Sequence, residues 1–169
     1  MTERKRQSPS LEQFEDPLRD YAPAKFDDAL EQALCEELVT AVRSTPIATI
    51  PTTATIRQAL DQLSQLDVAC LLVTDGGALV GIFTERDVLN KVAPDYEAAK
   101  RKCIAEVMTP DPAVIYETDH VVDALAAIAI SRHRHVPVLD VDEHLVGVVS
   151  PQRINAFLQD HFQQIGKAL

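Results

Sequence analysis

The feature that most constrains this chain is an internal repeat. The segments 55–60, 71–75 and 79–84 recur as 120–125, 136–140 and 145–150. The offset is 65 residues between Leu60 and Leu125, and 66 residues between Gly81 and Gly147. A repeat indicates two similar supersecondary units, each of which needs its neighbour to bury a core. We therefore expect any shared site to lie between the two units.

Each copy shows the same order of hydrophobic patterns. A short strand at 48–50, matched by 113–115, precedes a helix with apolar residues at helical spacing. Two strands and a second helix follow, so the pattern predicts β-α-β-β-α twice, in an α+β fold. About 60 residues form a marginal domain. We expect the two sheets to pack on each other about a pseudo-twofold axis, after an N-terminal helical extension.

Composition narrows the classes of function. The 169 residues are 46% hydrophobic and carry a formal net charge of −10. Nucleic-acid binding is disfavoured because it needs Lys and Arg to replace phosphate counterions. The longest uncharged apolar run, residues 124–130, is far too short to span a membrane. Cys35, Cys70 and Cys103 include no Cys-x-x-Cys pair, which argues against a disulfide framework. The expected location is cytoplasmic.

The same patterns divide the chain into four segments. They are an N-terminal arm and amphipathic helix at 1–41, the first repeat at 42–92, a linker at 93–102, and the second repeat at 103–164. An apolar stripe that includes Leu30, Leu34 and Leu38 predicts a helix over 26–42. This helix could cover the repeats or bind a partner protein, and the sequence leaves both readings open.

Three motifs are shared with a known family. They are the Val-Met-Thr-Pro of 107–110, the His-Val-Pro-Val-Leu-Asp of 135–140, and the Gly-Ile-Phe-Thr-Glu-Arg-Asp of 81–87, whose first half returns in the second copy. These residues resemble the cystathionine β-synthase (CBS) domain, whose tandem pair is called a Bateman module. The resemblance covers roughly residues 42–162 and leaves the first 40 residues outside.

The resemblance implies regulation by a ligand, and not catalysis. Tandem CBS domains bind AMP, ADP, ATP or S-adenosylmethionine in the cleft between repeats, as regulatory ligands and not as required cofactors. They often pair into homodimers and signal to a separate effector protein. A CBS-fold scaffold for dimerisation, without ligand binding, is the alternative.

Thr84 and Asp87 are the first candidates for binding the ligand. The resemblance implies that the Asp87 carboxylate accepts both ribose hydroxyls and that Thr84 contacts phosphate or sugar. An ionised carboxylate only accepts hydrogen bonds, which suits a diol with two donors. Thr-x-x-Asp before an apolar run is also a capping-box pattern at a helix start. The two roles are compatible.

The resemblance adds residues from both repeats to this site. It places Ile82 and Ala69 along the ligand, Ala113 and Val114 beside the base, and the basic pair before strand Val136 towards phosphate. The full set is Thr84, Asp87, Ile82, Ala69, Ala113, Val114, Arg134 and His135. The run Arg132-His133-Arg134-His135 can equally be a solvated basic turn.

The second copy departs from the motif at one position. Arg153 stands where Asp87 stands in the first copy, and arginine cannot accept a hydrogen bond from a diol. We therefore expect the second site to be weaker. Its candidate residues are Ala48, Thr49, Val148, Ser150 and Arg153.

Metal binding and catalysis have little support in the sequence. His133 and His135 have no H-E-x-x-H motif or cysteine partner, and arginines flank them. No G-x-S-x-G or phosphate-loop motif is present. The sequence therefore predicts a ligand-binding module and not an enzyme.

Overall fold

The fold was analysed in a computed structural model. It describes residues 25–26, 28–131 and 134–168, with side chains up to residue 163. The arm expected at 1–24, together with Arg132 and His133, lies outside the described residues.

Two four-stranded sheets form the centre of the structure. The strands are β1 (Arg43–Ser44), β2 (Thr49–Pro51), β3 (Cys70–Asp75), β4 (Ala78–Thr84), β5 (Thr109–Pro110), β6 (Ile115–Tyr116), β7 (Val136–Leu139) and β8 (Leu145–Val149). The helices are α1 (Ala29–Glu36), α2 (Ile56–Leu66), α3 (Glu85–Asp87), α4 (Tyr96–Ala99), α5 (Val121–Ile130) and α6 (Pro151–Ala168). The predicted α+β fold with two repeats is confirmed.

Each sheet takes one edge strand from the other half of the chain. The first sheet has the order β2-β3-β4-β5, and the second has the order β1-β8-β7-β6. Strand β5 pairs antiparallel with β4, with Gly81 opposite Pro110. Strand β1 pairs antiparallel with β8, with Arg43 opposite Val149. These exchanged strands interlock the repeats, a feature that the linear pattern did not indicate.

Hydrophobic residues form one core for each repeat and a third cluster between them. The first core includes Leu71 and Phe83, and the second includes Val138 and Val149. In the third cluster, Cys70, Leu72 and Ile82 of the first sheet pack against Leu145 and Val148 of the second. This contact joins the two sheets face to face, as expected for two units that cannot bury their sheets alone.

Helix α1 is shorter than the helix expected at 26–42. It begins after Asp28, whose side chain caps the Glu31 amide, and ends at Glu36, where the backbone of Glu37 is extended. The segment after α1 is hydrogen-bonded to the second repeat. The Val39 amide donates to the Asp119 carbonyl, and the Val121 amide donates to the Glu37 carbonyl. Helix α1 packs against α5 and α6, so it covers the second core.

The segment after β4 is helical but irregular. Helix α3 is followed by a π-helical turn at Val88–Val92, a 3₁₀ turn at Ala93–Asp95 and α4. The region expected as a linker is thus partly helical, and Ala99 is buried in the first core. Two of the expected strands are displaced: β2 covers Thr49–Pro51, and β6 begins only at Ile115.

We predict that Gly81→Ala destabilises the protein more than the matched change Gly147→Ala. A Cβ atom at Gly81 would overlap the Met108 sulfur and approach the Thr109 carbonyl oxygen to 3.1 Å. At Gly147 the nearest atoms belong to the Arg43 side chain, at 3.0 Å or more. Overpacking of this kind costs about 1–3 kcal/mol. Denaturant unfolding of both variants tests this order, and equal losses would contradict it.

Candidate functional site

A cavity of ≈ 420 Å³ lies where the two repeats meet. Residues Ala69 and Thr84 come from the first repeat, and Arg134 and His135 precede β7 of the second. The helical segment after β4 supplies the other side. The complete lining is Ala69, Thr84, Glu85, Arg86, Leu89, Asn90, Arg134 and His135. Four of the eight principal residues predicted from the sequence therefore lie on one cavity.

Thr84 and Asp87 form a capping box at the end of β4. The Thr84 amide and hydroxyl both donate to Asp87 Oδ2, at 3.0 and 2.8 Å. The Asp87 amide in turn donates to Thr84 Oγ1 at 3.4 Å. Both residues are buried, and Asp87 is only 4% exposed. The local role expected for this pattern is therefore present in the structure.

The second oxygen of Asp87 is also occupied. Lys91 Nζ lies 2.7 Å from Asp87 Oδ1, one helical turn further along the chain. The Thr109 hydroxyl, on the exchanged strand β5, donates to the same oxygen at 3.4 Å. Lys91 Nζ also donates to the Val107 carbonyl at 2.7 Å. The carboxylate thus connects the end of β4 to the strand that the second repeat contributes.

These contacts set the charge state of Asp87. Burial alone raises the pKa of its carboxyl, but the hydrogen bonds from Lys91 and Thr84 outweigh burial and hold the pKa below the ordinary 3.8. The carboxylate is ionised at neutral pH and can accept hydrogen bonds. Because both oxygens already have donors, a ligand hydroxyl must displace one, and the Lys91 ammonium is the donor most open to solvent.

Positively charged side chains outnumber negative ones on the cavity wall. The wall carries two arginines, Arg86 and Arg134, and one acidic residue, Glu85. His135 adds a ring that can be protonated. This balance contrasts with the net charge of −10 for the whole chain. A locally basic cleft in an acidic protein favours an anionic ligand.

The structure places four predicted residues away from the cavity lining. Ile82 is fully buried in the cluster between the sheets, beside Leu145 and Val148. Ala113 is exposed and Val114 half-buried, in the connection between β5 and β6. Asp87 contacts Thr84 but does not itself line the cavity.

Sequence reasoning missed five residues around the cavity. Glu85, Arg86, Leu89 and Asn90 line its wall, and Lys91 binds the Asp87 carboxylate. The spacing of four residues between Asp87 and Lys91 could have indicated an ion pair on a helix. Leu89 could not be foreseen, since it is 70% exposed in spite of its apolar side chain.

The weaker site does not assemble in the same way. Ser150 is buried, whereas Arg153 is exposed and donates to the Arg43 carbonyl at 3.4 Å. Ala48 and Val148 are half-buried and Thr49 is exposed, and none of the three lines a described cavity. Arg153 instead lines a separate cavity of ≈ 440 Å³, together with Glu37, Ala41, Ala156, Phe157, Asp160 and His161.

Two other features with reactive side chains, the Cys70 thiol and the cluster of Asp140, Asp142 and His144, have a structural explanation. Burial raises the pKa of the Cys70 thiol to about 12, which makes it a core group and a poor nucleophile. Asp140, Asp142 and His144 bring possible metal ligands within 4.8 Å in the β7–β8 turn. The Asp140 carboxylate already accepts from the Asp142 and His144 amides at 2.9 and 2.8 Å, which explains the cluster as turn geometry.

Comparison with known proteins identifies the family. The model of the CBS domain matches residues 39–94 and 104–160, which is more than half of the chain. The chain therefore belongs to the CBS domain family, as a tandem pair.

Several relatives share this pair. The CBS domain-containing protein CBSCBSPB5 of Arabidopsis thaliana is 30% identical over 109 residues, covering 64% of this chain and 20% of the relative. This chain thus spans about a fifth of the length of the first such relatives. No helix among the described residues is both long and apolar enough to cross a membrane.

Two solved structures are similar and contain ligands. CBSX2 of Arabidopsis thaliana in complex with AMP is 25% identical, with a TM-score of 0.62, over 73% of this chain and 97% of that one. The CBS domain pair of protein MJ0100, in complex with 5′-methylthioadenosine and S-adenosyl-L-methionine, is 27% identical with a TM-score of 0.65, over 73% and 96%.

We predict that Asp87→Asn destabilises the protein at pH 7 by about 1.5–3 kcal/mol, because it weakens the hydrogen bonds that the buried carboxylate accepts from Thr84 and Lys91. The pKa of Asp87 is lowered by folding, so its stabilisation is present above the ordinary value of 3.8 and is lost as pH falls through the folded pKa. The deficit of Asp87→Asn should therefore shrink in acid. Denaturant unfolding between pH 7 and pH 2 measures it, with the exposed Asp61→Asn as control.

A deficit that stays constant across this pH range would contradict the prediction, since it would show that the ionised form of Asp87 contributes nothing to stability.

Proposed function

We propose that this protein is a regulatory module that binds an adenosine nucleotide in the cavity between its repeats. The observation that carries the proposal is the cavity itself, where Ala69 and Thr84 of the first repeat face Arg134 and His135 of the second. Its ≈ 420 Å³ lies in the range of small-molecule sites. The AMP complex of CBSX2 and the S-adenosyl-L-methionine complex of MJ0100 support an adenosine-type ligand.

The cavity chemistry favours a phosphorylated ligand. Arg134 and Arg86 can donate to phosphate oxygens in bidentate geometry, and His135 can add a donor. Thr84 lies at the same wall and can donate or accept a hydrogen bond. Within the adenosine class, this lining suits AMP, ADP or ATP better than S-adenosylmethionine, whose sulfonium centre is cationic.

Asp87 is the proposed acceptor for the ribose hydroxyls. The ribose binds by exchange, because its hydroxyls take the place of a hydrogen-bond donor that the carboxylate already has. A diol that reaches Asp87 Oδ1 replaces the Lys91 ammonium now at 2.7 Å. Lys91 is partly exposed, so it can move into solvent. Its release also removes a donor from the Val107 carbonyl, just before the exchanged strand β5. Occupancy of the site is thereby coupled to the contact between repeats.

Regulation requires that the ligand bind two arrangements of the module with different affinity. The Lys91 and Thr109 contacts of Asp87 offer two such arrangements, one with β5 tied to the carboxylate and one without. The signal would pass to a separate effector protein in the cytoplasm, with no chemical step on the ligand.

A dimerisation scaffold without ligand binding is the second candidate function. Arg153 favours it for the second repeat, because it replaces the acceptor of the first repeat with a donor. Ala48, Thr49, Val148, Ser150 and Arg153 therefore form at most a secondary site. The two functions make opposite predictions for nucleotide titrations.

We predict that AMP binds the wild-type protein and that Asp87→Asn and Arg134→Gln each weaken binding at least about tenfold. Arg134→Gln should weaken AMP more than adenosine, because only AMP carries the phosphate that Arg134 contacts. Titration calorimetry of both ligands measures this. Arg57→Gln on the exposed face of α2 is the matched control for a lost charge.

Ser150→Ala tests the inequality of the repeats and should weaken AMP binding less than Asp87→Asn. No detectable heat with AMP, ADP, ATP or S-adenosylmethionine would contradict the nucleotide-binding function and favour the scaffold.

A further inference from the structure

The ≈ 440 Å³ cavity lies between helix α6 and the segment that joins α1 to β1. It is called the α6 cavity below. Three of the side chains that line it and can carry charge belong to α6, namely Arg153, Asp160 and His161, and a fourth, Glu37, belongs to the joining segment. The α6 cavity shares no lining residue with the ≈ 420 Å³ cavity between the repeats, so it is a separate candidate site.

The backbone around the α6 cavity is repeated in the first half of the chain. The Val121 amide donates to the Glu37 carbonyl, and the Ile56 amide donates to the Lys102 carbonyl. Both residues of the first bond lie 65 positions from those of the second, which is the offset of the repeat. The segment between α1 and β1 therefore corresponds to the segment between α4 and β5. The two halves can be compared at the same place.

In the first repeat a lysine crosses the corresponding place. Lys91 Nζ donates to the Val107 carbonyl at 2.7 Å and connects the helical segment after β4 to the chain just before β5. The residue at the Lys91 position of the second repeat is Phe157, which has no side-chain donor. Phe157 packs against the His161 ring, with 4.3 Å between the ring centroids. The fold can therefore connect these segments directly, and the charged cavity is a property of the second repeat.

Polar groups of the α6 cavity have unused hydrogen-bonding capacity. Arg153 has five N–H donors, and its hydrogen bond within the described part of the chain is a 3.4 Å contact with the Arg43 carbonyl. Asp160 forms no hydrogen bond or ion pair with the described residues. Glu37 Oε1 lies 3.1 Å from His161 Nε2, and its second oxygen has no partner among those residues. Donors and acceptors are thus both available to a ligand.

The α6 cavity combines opposite charges, unlike the basic cavity between the repeats. Arg153 and Asp160 are seven residues apart on one face of α6, which separates their Cα atoms by about 10.5 Å along the helix axis. The small side chain of Ala156 lies between them on the same face. A purely anionic ligand would meet the carboxylates of Asp160 and Glu37, and a purely cationic ligand would meet the Arg153 guanidinium. A ligand with one group of each sign satisfies both.

We infer that the α6 cavity binds a free amino acid with an apolar side chain. Its α-carboxylate binds the Arg153 guanidinium, which suits planar, bidentate pairing. Its α-ammonium has three donors for the Asp160 carboxylate and the second oxygen of Glu37. The apolar side chain lies against Ala156 and Phe157, the uncharged part of the α6 wall. The cavity volume is in the range of small-molecule sites.

Titration calorimetry with L-leucine and two analogues tests the need for both charged groups. The analogue 4-methylpentanoate lacks the ammonium group of leucine, and 3-methylbutylamine lacks its carboxylate. Leucine should bind, and each analogue should bind at least about tenfold more weakly, because it leaves one sign of charge in the cavity without a partner. L-Methionine and L-phenylalanine extend the series to other apolar side chains.

Charge-removing variants test the assigned contacts. Arg153→Gln and Asp160→Asn should each raise the leucine Kd at least about tenfold. Arg57→Gln and Asp61→Asn remove the same charges from exposed positions of α2, so these matched controls should leave the Kd unchanged. Circular dichroism melts establish that each variant is folded.

A cavity-filling variant tests the location without removing a charge. Ala156→Phe should prevent leucine binding, because the larger ring occupies the space between Arg153 and Asp160. Ala126→Phe adds the same ring at an exposed position of α5 and should leave binding intact.

No heat with leucine, methionine or phenylalanine at up to about 10 mM ligand overturns the inference. Equal affinity for leucine and either analogue, or a leucine Kd unchanged by Arg153→Gln and Asp160→Asn, also overturns it. The AMP titrations concern a cavity with no lining residue in common. Failure of the amino-acid site is therefore distinguishable from failure of the nucleotide site.

Discussion

The exchange of edge strands between the two halves is the constraint on which this structure depends. Strand β5 closes the first sheet with residues that open the second repeat, and β1 closes the second sheet with residues that open the first repeat. The glycine of each repeat motif stands at this exchange. Gly81 lies against Met108 and Thr109, and Gly147 lies against Arg43. A side chain at either position would push the borrowed strand away. The motif glycine is therefore explained by packing between the halves, whatever ligand the module binds.

The same strand exchange explains why the candidate site belongs to both repeats. Thr109 reaches Asp87 from β5, while Arg134 and His135 approach from the segment before β7. The capping box holds Asp87 in place through Thr84, and Lys91 keeps its carboxylate ionised. The Asp87 carboxylate thus takes part both in the helix cap and in the contact between the repeats. In the proposed function, an exchange of donors at that carboxylate alters contacts in both halves, because Lys91 belongs to the first repeat and Thr109 to the exchanged strand.

The repeat was enough to predict two packed β-α-β-β-α units, and the Thr-x-x-Asp pattern predicted the capping role of Thr84. The family resemblance, and not periodicity, placed Ala69, Arg134 and His135 together, and these three residues line one cavity. The length of α1 was not predictable, since it ends where Glu37 and Val39 find partners around residues 119–121. The position of Ile82 was also missed, because its burial depends on how the sheets face each other. Properties set by neighbours close in sequence could be read from the chain, and those set by tertiary contacts could not.

The differences between the copies are more informative about function than their likeness. Asp87 and Lys91 form an ion pair in the first copy, and the matching residues of the second are Arg153 and Phe157, which cannot form one. Helix α2 presents polar residues to solvent, whereas α5 presents apolar ones. Both contrasts occur on the same repeated backbone pattern, so neither is needed for the fold. The first repeat carries an ionised acceptor beside the cavity, and the second carries a donor at the matching position. In the proposed function, this inequality confines the ribose acceptor to one repeat, and the exchanged strand β5, whose Thr109 contacts Asp87, links that acceptor to the other repeat.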